Sequence, residues 1–141
     1  MVDTAAAALL GAAGLHAGFQ LTVTTLVYPA LARVDGSRWP EAHDRHSRAI
    51  TPVVGVVYLL LLATGAWALA TLPLTAWLVT AVAGAGIALA TTAFVAAPLH
   101  GRLGRVGPDP SLMRRLLVAD RVRCTGALVC LAGAALVCLR P

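Results

Sequence analysis

The sequence contains no lysine, so its net charge of +5 comes from eleven arginines set against six acidic residues. Charge of either sign is scarce. Charged residues make up 12% of the chain and hydrophobic ones 59%, whereas a soluble domain carries roughly 25% charged residues. A chain of 141 residues cannot hide that much apolar surface inside itself. With a mean hydropathy of +0.82, a water-soluble globular protein is excluded and lipid is expected to cover the remainder. Cys-x-x-Cys is absent too, which removes thiol redox chemistry of the disulfide kind. Cys124, Cys130 and Cys138 all fall in the last hydrophobic segment. Cys124 and Cys138 stand about four helical turns apart, beyond disulfide reach, and Cys130 shares a face well with neither. All three read as small apolar packing residues. A pI near 10 raises nucleic acid as a partner, but that needs a contiguous basic surface with aromatic or groove-reading elements. Here the arginines flank hydrophobic segments, and no nucleic-acid partner is expected.

What is present is a set of four apolar runs, at about Thr4–Leu31, Ile50–Ala70, Ala76–Leu99 and Val122–Leu139. Each approaches or exceeds the roughly 20 residues that span a hydrocarbon core. The expected fold is all-α, a polytopic membrane four-helix bundle forming a single domain over residues 1–141. The first run lacks a basic leader and is too long and too polar in its middle for a cleaved signal peptide, so it is expected to be retained. A lysine-free chain rich in Ala, Leu, Val and Arg reflects a GC-rich genome. The expected location is a cell membrane, of the bacterial inner-membrane kind, with membrane lipids as surroundings.

The connections set the topology. Thr71–Thr75 is a tight uncharged turn around Pro73, while residues 32–49 and 100–121 are long and arginine-rich. Both long linkers fall on one side, so ten of the eleven arginines gather there and only Arg140 lies opposite. The positive-inside rule makes that side cytoplasmic and places both termini on the non-cytoplasmic side. Trp39-Pro40-Glu41 marks a helix start, and Glu41–Arg48 either continues into the second span or lies at the interface before it. Pro108-Asp109-Pro110-Ser111 is a turn, and Ser111–Ala119 reads as a short amphipathic helix on the membrane surface. A faint repeat relates Tyr28-Pro29-Ala30-Leu31-Ala32-Arg33 to Ala97-Pro98-Leu99-His100-Gly101-Arg102.

Polar residues in apolar runs point to the interior, because lipid offers them no hydrogen-bond partner. His16, Gln20 and Thr24 recur at a spacing of four and form one stripe. They either bond across the bundle to Thr64, Thr80, Thr91 or Thr92, or line a ligand pocket. His43 and His46 are three apart on one helical face, and His100 sits at the same end of the third span. Three imidazoles meeting there would suit a metal such as Zn, Fe or Cu, and the His43–His46 pair could take one side of a haem. The plainer reading is interfacial histidines bonded to phosphates, Asp44 or Asp120. Asp120 caps the fourth helix, pairs with an arginine such as Arg48 or Arg102, or accepts a proton beside a substrate. Gly14-x-x-x-Gly18 is a close-packing pattern for membrane helices, in a compact bundle or in a homo-oligomer.

The Tyr28-Pro29-Ala30-Leu31 end of the first helix, Trp39 in the linker, and Pro98-Leu99-His100 closing the third together resemble the anthrone-oxygenase-like family of small four-helix membrane proteins. In that family a Pro-Leu-Asn-like segment ends the third helix and an Arg-Thr-like pair opens the fourth. Here those positions read Pro98-Leu99-His100 and Arg123-Cys124-Thr125, with departures at His100 and Cys124 that fall where a specific site would lie. The resemblance implies an oxidoreductase or oxygenase acting on a hydrophobic aromatic or quinol-like small molecule at the cytoplasmic face. It implies a pocket of His16, Gln20, Tyr28, Trp39, His43, His46 and His100, with Arg48, Arg102 and Arg121 orienting an acidic or phenolate substrate. His43, His46, His100 and Asp120 would be the catalytic groups, a histidine taking a phenolic proton. The cofactor stays open between a metal, a haem and none. The competing reading is a non-enzymatic membrane accessory, haem- or lipid-binding protein. A small transporter fits less well, since all six acids are placed near ends or in linkers.

Overall fold

The structure, a computed structural model, describes residues 3–139; Arg140, the one arginine assigned to the opposite side, lies outside the described residues. All regular structure among them is helical. Four helices follow one another: α1 (Thr4–Leu31), α2 (Trp39–Thr71), α3 (Ala76–Val106) and α4 (Pro110–Leu139), each long and apolar enough to cross a membrane.

The starts and stops follow from local chemistry. The Asp3 carboxylate accepts from the Ala5 amide at 2.8 Å to cap α1, satisfying one of the free N–H groups of a helix start. α2 opens on Trp39 with Pro40 in its first turn, where a missing N–H costs nothing. It stops at Leu72, which turns extended before Pro73, and Thr75 caps α3 by accepting from the Leu78 amide at 3.2 Å. Gly107, at φ +88°, ends α3 in a conformation that only glycine adopts without strain. Asp109 then caps α4, accepting from the backbone amides of Leu112 (2.8 Å) and Ser111 (2.9 Å) and from the Ser111 hydroxyl (2.7 Å). Those bonds, the Leu112 amide first, hold the Asp109 carboxyl below the usual carboxylate range.

In the linkers one alternative is decided and one expectation is corrected. α2 runs unbroken from Trp39, so Glu41–Arg48 belongs to it and does not lie flat at an interface. The separate surface helix over Ser111–Ala119 is instead the opening of α4. Nothing between Ala119 and Val122 breaks a helix. The apolar stripe of Leu112 and Leu116 buries itself inside the protein, with Trp39, Leu99 and Leu103. α3 likewise continues past Leu99 to Val106. The bundle therefore extends beyond its apolar spans at the arginine-rich end.

α1 and α3 share an irregularity. Each contains a π-helical turn, Val23–Val27 and Thr92–Ala96, ending two residues before Pro29 and Pro98 respectively. A proline lacks the N–H that would close its helical turn and crowds the carbonyl four residues back. A π turn absorbs that fault by rotating the next stretch of helix about the axis. The irregularities recur at the spacing of the sequence repeat.

Packing is uneven. α3 and α4 pack most extensively, α1 bridges α4 and α2, and the α2–α3 contact is thin. The interior is built from small residues such as Ala13, Ala17, Ala81, Ala88, Ala127 and Ala134, while Leu59, Phe94 and Leu26 face outward. That distribution suits lipid outside and close helix approach inside. The close approach is at Gly84, Gly126 and Gly133, where an added Cβ would meet backbone of the facing helix at 2.6–2.8 Å. Gly14 and Gly18 are not part of it: nothing lies within 4 Å of their Cβ positions. The spacing of glycines was readable, but which helix face a neighbour covers was not. Gly84→Ala and Gly133→Ala are therefore expected to cost about 1–3 kcal/mol by overpacking, and Gly14→Ala to be neutral or slightly stabilising. Thermal unfolding of the variants in detergent measures both; equal effects at Gly84 and Gly14 would contradict this packing.

Candidate functional site

The four helices bring their polar side chains together where the apolar spans meet the arginine-rich end. The π turns precede the two residues that matter most on their helices, Tyr28 on α1 and His100 on α3. α1 adds Gln20 two turns earlier, α2 adds His43 and His46 from its first turns, and α4 adds Asp120 and Arg123, one turn apart.

Arg123 is the centre of this arrangement. The residue is 3% exposed, and a guanidinium can only donate. Nη2 donates to Gln20 Oε1 at 3.1 Å and Nη1 to the Tyr28 hydroxyl oxygen at 3.2 Å. Gln20 in turn donates through Nε2 to Asp120 Oδ1 at 2.7 Å, and Asp120 lies 3.9 Å from Arg123 as a buried ion pair. The Tyr28 hydroxyl also meets His100 Nε2 at 2.9 Å, in a bond whose donor depends on the His100 tautomer. His100 Nδ1 in turn faces His43 Nε2 at 3.4 Å. His43 stacks on Trp39 with ring centroids 5.3 Å apart, and Trp39 Nε1 donates to the Leu103 carbonyl at 3.1 Å. A line of hydrogen-bonding groups thus runs from the buried cation to the outer histidine.

Beside this line lies a cavity of about 270 Å³, lined by α1, α2 and α3 with Arg123 beneath. Tyr28, His46, Ser47, His100 and Arg123 supply its polar wall, and Phe19, Val23, Ile50, Val54 and Ala96 supply most of the rest. Thr51 and Ala97 at its rim are exposed, so it opens between α2 and α3 onto the apolar outer surface. Three polar atoms of its lining are buried without a partner: Arg123 Nε, His46 Nε2 and Ser47 Oγ. Unsatisfied buried groups of this kind are costly in protein and more so in lipid.

The structure sorts the residues that the sequence singled out. Gln20, Tyr28, His43, His100 and Asp120 join the network, Trp39 supports it, and His46 faces the cavity. His16 is fully buried against Tyr58, at 5.1 Å between centroids, with neither ring nitrogen bonded. The threonines proposed as its partners, Thr64, Thr80 and Thr92, donate instead to carbonyls of their own helices. Arg48 is exposed and pairs with Asp44, while Arg102 and Arg121 are exposed and do not line the cavity. Asp120 neither caps α4 nor meets Arg48 or Arg102: it is buried mid-helix against Gln20 and Arg123. A carboxylate placed in a linker by hydropathy is thus an interior group. The residue that sequence reasoning passed over is Arg123. It lies one turn from Asp120 on the inward stripe with Ala119, Gly126 and Ala127, and that periodicity was the available signal.

The imidazoles of His43 and His46 each lie near His100, at 5.6 and 5.7 Å between centroids. Yet among the described residues no group of three His, Cys, Asp or Glu side chains is arranged to hold a metal ion. His100 turns one nitrogen to Tyr28 and the other to His43, leaving no free nitrogen to share with His46. No protein-family model, curated protein or solved structure matches this chain.

The Arg123–Asp120 pair generates a prediction. Asp120→Leu strands a buried cation and is expected to cost about 3–5 kcal/mol, and adding Arg123→Met should recover most of that loss. Reversible unfolding in detergent of both single variants and the double variant supplies the cycle; additive losses would mean that the two groups are not coupled.

Proposed function

We propose that this protein is a multi-pass membrane enzyme, oxidoreductase- or oxygenase-like, that takes a hydrophobic aromatic or quinol-like molecule from the bilayer. The arginine-rich end lies on the cytoplasmic side, with both termini opposite, and the membrane is a cell membrane. What carries the reading is the pair of unpartnered buried atoms, Arg123 Nε and His46 Nε2, lining a cavity that opens toward lipid. A substrate hydroxyl or enolisable carbonyl placed between them finds a base in His46 and a cation in Arg123 to hold the resulting oxyanion. A water-excluding site strengthens both effects.

The anthrone-oxygenase-like resemblance supplies the chemistry. A ring CH2 held between two arenes, across the ring from a carbonyl, loses a proton to histidine, and the electron-rich carbanion reacts with dioxygen. One oxygen atom remains on the carbon as a new carbonyl, and the other leaves as water with both hydrogens. His46 keeps the first proton until it returns it to the departing water, so that no net proton leaves the site. His46 acts as the base, Arg123 as the anion holder, and Tyr28, His100 and His43 as positioning groups. Asp120 and Gln20 fix Arg123.

The test uses purified protein in detergent with an anthrone or hydroquinone probe and oxygen uptake as the readout. His46→Ala is expected to lower kcat by a factor of about 10²–10⁴, the range for a general base, with KM changed little. His100→Ala and His43→Ala should lower kcat by smaller factors. Saturable binding of the probe with no turnover in the wild type would select the non-enzymatic binding reading. Unchanged turnover in all three histidine variants would sink the enzyme reading.

A further inference from the structure

The seam between α2 and α3 does not end with the polar cavity. A second cavity, of about 230 Å³, lies along the same seam toward the turn that joins the two helices. On α2 one helical stripe serves both: Ser47, Ile50 and Val54 line the first, and Leu61, Gly65 and Leu69 the second. On α3 the antiparallel stripe of His100, Ala96 and Thr92 gives way to Leu89, Ala85 and Val82. Both cavities occupy the stretch where α2 and α3 barely touch.

Tyr58 stands at the junction. It lines the second cavity, and its hydroxyl meets Thr92 Oγ1, at the edge of the first, at 2.7 Å and the Ala88 carbonyl at 3.2 Å. Beyond Tyr58 the walls are Leu, Ala, Val and Gly alone. The α2 stripe from Tyr58 to Leu69 extends about 16 Å at 1.5 Å per residue. A molecule whose polar end sits at Arg123 and His46 therefore has a second, apolar cavity farther along the same seam, on the other side of the Tyr58 side chain.

We propose that the substrate is a lipid-tailed phenol or quinol. Its aromatic head fills the first cavity, and its apolar chain passes Tyr58 to lie in the second. This rests on the assignment of the head group to Arg123 and His46 and adds to it the identity of the remainder of the molecule. The chain, not the head alone, anchors the substrate in the seam, and the thin α2–α3 contact lets it enter sideways from the bilayer.

The experiment compares two probes, methylhydroquinone and decylhydroquinone, titrated into the purified protein in detergent. It is run on the wild type and on Gly65→Leu/Ala85→Leu. No heavy atom lies within 4 Å of a Cβ at Gly65, so leucine there fills the cavity without displacing backbone. In the wild type the decyl probe is expected to bind at least tenfold tighter than the methyl probe. In the filled variant that ratio should fall toward one while methyl binding is unchanged. A wild-type ratio of one, or a ratio the variant leaves intact, overturns the tail assignment while the head-group reading stands. If neither probe binds the wild type, the head-group reading fails and takes this one with it. Should the double variant not fold, Gly86→Leu carries the same test from the α3 rim, where a Cβ also meets nothing within 4 Å.

Discussion

A single buried cation orders this molecule. Arg123 sits at a depth where an unpaired charge would be prohibitive, so its surroundings are fixed in kind and in direction. Because the guanidinium only donates, Gln20 must turn its carbonyl to it and its NH2 to Asp120, which removes the usual ambiguity over which way an amide points. Through the Tyr28 hydroxyl the same cation is linked to His100 and, beyond it, to His43. One charge on α4 is thereby connected to polar groups on three other helices. The charge is only partly satisfied, since Nε is left for something else.

The helices divide the work accordingly. Gln20 and Tyr28 come from α1, Asp120 and Arg123 from α4, and His100 from α3, which is locked to α4 by glycine contacts too close for any side chain. No residue of α2 belongs to the ionic core. Its share is His43, at the long end of hydrogen-bond range, and Trp39, bonded to a carbonyl of α3. Deeper in the bundle the Tyr58 hydroxyl ties α2 to α3 through Thr92 and the Ala88 carbonyl, so α2 is joined to α3 at two separated points.

Much of the fold was legible because bilayer physics is coarse. Apolar runs of sufficient length, a short turn at Pro73, and proline and tryptophan at the start of α2 leave few choices. The stripe of His16, Gln20 and Thr24 announced an interior, but not its partners, because a period of four names a face and not what the face meets. Arg123 was taken as one more flanking arginine, since hydropathy treats a charge near a span end as a topology signal whatever side it faces. Asp120 was misplaced for the same reason. Both lie on the stripe that includes Leu116, Ala119 and Ala127, and only the continuity of α4 from Pro110 makes that stripe inward. The π turns could be suspected from the prolines alone, though their position could not.

The repeat bears on why a cavity exists at all. Superposing Pro29 on Pro98 pairs α1 with α3 and α2 with α4, and the π turns coincide. Under that relation the α4–α1 seam is the counterpart of the α2–α3 seam. The two are filled differently. Gln20 on α1 corresponds to Leu89 on α3, and Tyr28 to Ala97. Where α1 and α4 meet, those polar residues engage Asp120 and Arg123 and the helices close together. Where α2 and α3 meet, the equivalents are apolar or small, no ion pair draws the helices together, and space remains. One seam is sealed by charge and the other keeps two cavities. The polar end of the open seam borrows its cation from the sealed one.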